Sequence, residues 1–76
     1  MSEIDDLLHY YQQLFIDFGG EIEGFESDNE RWVRGFRAAK RFEQEYSLPR
    51  IDYSWSKDKI IHAYETKIEH LRNIEK

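Results

Sequence analysis

The chain has no cysteine, one proline, four glycines and one methionine in 76 residues. Without cysteine there is no disulfide framework, no thiolate metal site and no nucleophilic thiol. No apolar run approaches the ~20 residues that a membrane-spanning helix requires. The Met1–Asp6 stretch is acidic where a secretory signal would be basic and then apolar, so a cytoplasmic protein without such a signal is expected. A domain this short buries only roughly 60% of its unfolded surface. With no covalent or metal staple it relies on efficient apolar packing or on a partner.

A further lack is of charge of one sign. Residues 1–30 contain nine acids and no Lys or Arg. Residues 31–41 contain five bases, Arg31, Arg34, Arg37, Lys40 and Arg41, and no acid. The net charge of -5 conceals this split, with -9 over residues 1–30 and +4 over residues 31–76. Such asymmetry gives the chain two unlike faces to offer a partner.

What the chain has in quantity is aromatic side chains: five Tyr, five Phe and two Trp. Each can bury ~150–250 Å², which argues against disorder despite the 36% of charged residues. The apolar residues recur at helical spacing in three segments. Ile4, Leu7, Leu8, Tyr11, Leu14, Phe15 and Phe18 form the first stripe, behind a Ser2 cap and ahead of Gly19-Gly20. Trp32, Phe36, Ala39, Phe42 and Tyr46 form the second, behind a capping box over Ser27–Glu30. Gly35 lies on that stripe, where a neighbour can approach closely, and Ser47-Leu48-Pro49 stops the helix. Ile60, Ile61, Tyr64, Ile68 and Leu71 form the third, capped by Ser54 or Ser56.

These patterns predict one all-α domain over residues 1–76. It is a small antiparallel three-helix bundle with aromatic-rich loops and helices near 3–18, 28–46 and 57–74. The expected core is Leu7, Tyr11, Leu14, Phe18, Trp32, Phe36, Phe42, Ile61, Ile68 and Leu71.

Chemistry is sparse. No Ser-His-Asp order and no Gly-rich phosphate loop is present. A helical enzyme in the manner of chorismate mutase needs cations on its first helix, and this one has none. His62, Glu65 and Glu69 share a helix face, but one His and two carboxylates fall short of a zinc set. No catalysis, no cofactor and no metal is therefore expected.

Interaction remains. Arg34, Arg37, Lys40 and Arg41 cluster opposite the second apolar stripe, and Arg forms bidentate pairs with carboxylates and phosphates. In the loop that follows, Arg50, Tyr53 and Trp55 are of the types that dominate binding hot spots. These seven residues are the expected contact set, although the 51–55 loop also reads as a lid over the bundle. The expected partner is a larger protein with an acidic patch. The expected function is that of a small non-enzymatic regulator or inhibitor using the basic face of the second helix.

Two alternatives use the same charges. One is a nucleic-acid-binding accessory protein working through the basic helix. The other is an acidic nucleic-acid mimic working through residues 1–30. A homodimer pairing the acidic third with the basic helix is also open beside a monomer. The stretch Trp32-x-x-Gly35-Phe36-x-Ala38-Ala39-x-x-Phe42 resembles helices found in many short bacteriophage-encoded proteins. The resemblance implies a phage or mobile-element origin and nothing more; with the expected regulatory role, it makes a phage-encoded protein acting on a host assembly one form of that expectation.

Overall fold

The computed structural model describes residues 3–45 and 50–75, with Glu75 described by its backbone alone. The Ser2 cap, Tyr46 and the Ser47-Leu48-Pro49 stop lie outside the described residues. Three helices form: α1 Glu3–Asp17, α2 Asn29–Glu45 and α3 Lys57–Glu75. Among the described residues there is no strand, and the chain is an all-α three-helix bundle. Among the described residues no helix is long and apolar enough to cross a membrane.

Local chemistry sets the helix ends. Gly19 adopts φ 109°; its N–H reaches the Ile16 carbonyl at 2.9 Å and the Gly20 N–H reaches that of Phe15 at 2.8 Å. This pair of bonds is a Schellman stop, which needs a left-handed residue at the first position beyond the helix. At the start of α2 the cap is Asp28 rather than Ser27. Asp28 Oδ1 accepts from the Glu30 and Arg31 N–H groups at 3.0 and 3.2 Å. The Ser27 hydroxyl instead donates to Gln13 Oε1 at 2.6 Å. Ser56 caps α3, accepting from the Lys59 N–H at 3.3 Å.

α1 is the central helix and packs against both others. Its contacts with α2 run from Glu3 with Arg41, through Asp6 with Arg34, to His9 with Asp28. The two helices therefore run in opposite senses. Gly19 lies beside Lys57 and Ile61 of α3, while Tyr11 lies beside Tyr64, again antiparallel.

The core is Leu7, Tyr11, Phe15, Ala38, Ala39, Phe42, Ile60, Tyr64, Ile68 and Leu71. Replacing one of the large aliphatic members by Ala should cost ~2–5 kcal/mol. Five expected core residues fall outside it: Leu14, Phe18, Trp32 and Ile61 are half-buried and Phe36 is 41% exposed. On α2 the cause is steric. A Cβ on Gly35 would lie 2.5 Å from Tyr10 Cβ and against the Asp6 carbonyl oxygen, so backbone nearly touches backbone there. Only small residues fit such a seam, and α2 turns Gly35, Ala38 and Ala39 inward. The large rings are displaced to its edge, where Trp32 and Phe36 stack with centroids 5.7 Å apart.

His9 ties the 18–28 connection to α1. Buried beside Phe25, with rings stacked at 5.0 Å, it accepts the Asp28 N–H on Nε2 at 3.0 Å. That bond requires the neutral imidazole. Burial, aided by nearby Arg31, holds its pKa below the ordinary 6.5.

Candidate partner-binding groove

The acidic and basic segments of the chain meet first within the molecule. Arg34 Nε donates to Asp6 Oδ2 at 3.0 Å, and Arg31 Nε lies 3.9 Å from Oδ1 of the same carboxylate. Arg31 also donates to the Asp5 carbonyl at 3.3 Å. Arg41 pairs with Glu3. The side chain of Asp6 is nine-tenths buried, and Arg31 and Arg34 are the cations that face its carboxylate. Thus Arg34 and Arg41, expected at a partner surface, face acids of α1. The basic run lies alongside α1 because the Gly35 seam brings Asp6 within reach of α2.

Arg37 and Lys40 remain exposed. The Lys40 ammonium sits 5.3 Å from the centroid of the Phe36 ring. Lys40 lines a groove of about 310 Å³ between α2 and α3, together with Phe36, Arg50 and Tyr53; Arg37 lies instead on the α1 side of α2, with Glu3, Asp6, Arg34 and Arg41. Three of the expected contact residues, Lys40, Arg50 and Tyr53, are therefore brought together. Trp55 is not among the lining residues. It is half-buried against the core, with the Lys59 ammonium 4.4 Å from its ring centroid. An Asp52 turn shapes this loop, with Oδ1 accepting from the Ser54 N–H and hydroxyl at 2.8 and 2.7 Å. Those bonds hold the Asp52 carboxyl below the usual carboxylate range. The turn leaves Tyr53 66% exposed.

Aromatic rings run across the groove in an unbroken series. Trp32 stacks on Phe36, and Phe36 meets Tyr10 at 6.0 Å. Tyr10 meets Tyr11 at 5.3 Å, and Tyr11 meets Tyr64 at 6.2 Å. Phe18 then links Tyr64, at 5.7 Å, with Tyr53, at 6.0 Å. Such pairs add to the stabilisation from buried area.

Beneath the rings lies a polar pair. The Lys67 side chain is only 4% exposed; its Nζ is 3.3 Å from Glu43 Oε1 and 4.8 Å from the Tyr11 ring centroid. The Tyr11 hydroxyl donates to the same Glu43 oxygen at 2.9 Å. Burial lowers the Lys67 pKa from its ordinary value, opposed by the carboxylate. Burial raises the Tyr11 and Tyr64 hydroxyls far above theirs, and Tyr64 shares a 3.0 Å hydrogen bond with Tyr53. The pair bridges α2 to α3, whose backbones do not pack on each other.

Sequence reasoning missed Tyr10, Tyr11, Glu43, Tyr64 and Lys67 as groove residues. One signal was legible. Lys67 falls on the face that Ile60, Tyr64, Ile68 and Leu71 present to the core, and a lone cation in an apolar stripe needs a partner. His62, Glu65 and Glu69 are exposed on α3. Among the described residues no three His, Cys, Asp or Glu side chains are grouped to hold a metal. No known protein family, curated protein or solved structure matches the chain.

Proposed function

We propose that this protein is a small cytoplasmic regulator or inhibitor that works by binding a larger protein, without chemistry of its own. Its contact surface is the groove side of the bundle: Phe36 and Lys40 from α2, with Arg50 and Tyr53 from the following loop. The observation that carries this reading is the exposure of Phe36 and Tyr53 beside cations. Two large rings left part-exposed next to Lys40 and Arg50 have the composition of an interface centre. Arg34 and Arg41 drop to a supporting role, because Asp6 and Glu3 hold them.

The same ion pairs weigh against both nucleic-acid readings. They neutralise much of the basic run that would meet phosphates, and they occupy acids that a mimic would display. Capture from a lysate, read by mass spectrometry, tests the proposal when the bait is compared with Phe36→Ala/Lys40→Glu and with Arg72→Glu. Arg72 lies near Phe15 and Ile22, away from the groove. A partner retained by Arg72→Glu and lost by the groove variant supports the reading. Equal capture by all three baits refutes it, and a salt-sensitive gel shift with an oligonucleotide would favour the nucleic-acid alternative.

A further inference from the structure

We infer that the groove between α2 and α3 receives an acidic segment of the partner that carries one bulky apolar side chain. This deepens the protein-binding reading above and rests on it. The groove volume, about 310 Å³, is at the lower end for ligand clefts, roughly 300–1,000 Å³. It has room for a large side chain and not for a folded element.

Its walls set apolar surface beside charge. Tyr10, Phe36 and Tyr53 offer ring faces, and Leu14, Ala39 and Ile51 offer aliphatic surface. Among the lining residues, Glu43 carries a negative charge whose Oε1 is already taken by Tyr11 and Lys67. A second carboxylate beside it would meet like charge with that cation already engaged, so the apolar side chain goes in and the acids stay out. Lys40 and Arg50 are exposed on the lining and await them. Among the described residues that line the groove are three cations, Lys40, Arg50 and Lys67, and one acid, Glu43, on a chain whose net charge is -5. A local positive spot on an acidic molecule suits a few carboxylates in a short segment. It does not suit a long polyanion, which must pass the acidic remainder of the surface.

A second copy of the chain is a poorer occupant. Its exposed acidic stretch, residues 21–30, has the right charge. Its apolar residues there, Ile22 and Phe25, are half-buried in their own fold, and Phe25 stacks on His9. From that stretch a second copy therefore brings acids without an anchor.

The test is fluorescence polarisation with three labelled peptides. The first contains Asp, Glu and Gly around a central Phe, the second has Ala for the Phe, and the third has Lys for every acid. Each is titrated with the wild-type protein and with Lys40→Glu, Arg50→Glu and Arg72→Glu, after circular dichroism has verified their folds. The first peptide should bind, and the second about tenfold or more weakly. The third should not bind. Lys40→Glu and Arg50→Glu should each weaken the first peptide about tenfold, and Arg72→Glu should leave it unchanged. No binding by the first peptide, or equal binding with and without Phe, overturns the inference. So does a concentration-dependent mass that a Lys40→Glu substitution abolishes, which would seat a second copy there. If the peptides fail while lysate capture still depends on Phe36 and Lys40, the segment inference falls alone. If capture is also insensitive to the groove, the protein-binding reading falls with it.

Discussion

Gly35→Ala sets helix propensity against packing, and the two predict opposite signs. Gly35 is in the interior of α2, where Ala should be favoured by ~1 kcal/mol. Its added methyl would lie 2.5 Å from Tyr10 Cβ and 3.0 Å from the Asp6 carbonyl carbon. Carbon atoms prefer ~3.5–4.0 Å, so α1 and α2 must part by roughly 1 Å. The obstruction is backbone and a Cβ, neither of which can rotate away. Overpacking of this kind costs ~1–3 kcal/mol. Parting the helices also stretches the 3.0 Å bond between Arg34 and the buried Asp6 carboxylate, whose Oδ1 already lacks a hydrogen-bond partner. Packing should win by about 1 kcal/mol or more. For a domain of this size that is a fall in Tm of about 4–8 °C per kcal/mol. Thermal unfolding followed by circular dichroism reads it directly, and Gly35→Val should fall further. A Tm that rises in Gly35→Ala would mean the seam is open and that propensity alone governs the position.

Three other outcomes are expected. Glu43→Ala strands the buried Lys67 ammonium and should cost about 3 kcal/mol, whereas Lys67→Met leaves a part-exposed carboxylate still bonded to Tyr11 and should change stability by under about 1 kcal/mol; urea titration showing equal losses would refute this asymmetry. Because the folded-state pKa of His9 is lowered, its contribution is complete above 6.5 and is lost as pH falls below that value; Tm should drop between about pH 7 and about pH 5 in the wild type and drop less in His9→Phe. Arg34→Glu should lower the denaturation midpoint, by setting a like charge against buried Asp6, while the exposed Arg37→Glu should leave it nearly unchanged in the same assay, and equal midpoints for the two variants would refute the pairing.

The three helices were legible because long apolar stripes at spacings of three and four have one good solution. The closeness at Gly35 was legible too, since a glycine on an apolar helix face invites a neighbour. The rotation of α2 was not. Hydrophobic patterning weighs Trp32 and Phe36 above Ala38, and nothing local reveals that a small-residue seam outcompetes two large rings. The pairing of Arg34 with Asp6 and Arg41 with Glu3 depends on the register of α1 against α2, which that seam sets. Opposite charge in two segments suggests attraction but does not say whether it is satisfied within one molecule. The groove has the least local origin of all. It follows from α2 and α3 both packing on α1 while a Lys–Glu pair holds their facing sides, an arrangement recorded in no single stretch of sequence. Lys40, Arg50 and Tyr53 were singled out by residue type, and only the tertiary arrangement brought them together.

The central place of α1 has a consequence for synthesis. α1 precedes both helices that cover it, so as the chain leaves the ribosome its two apolar flanks are bare. The arrival of α2 shields the flank that meets Ala38 and Ala39. The flank that meets Tyr64 and Ile68 waits for α3. A nascent chain that ends before α3 is therefore a half-clad hairpin showing Tyr11 and Phe15 to solvent. Such an intermediate is sticky by composition, and the acids of residues 1–30, with no base among them, are on the growing chain from the outset to keep it apart from its neighbours.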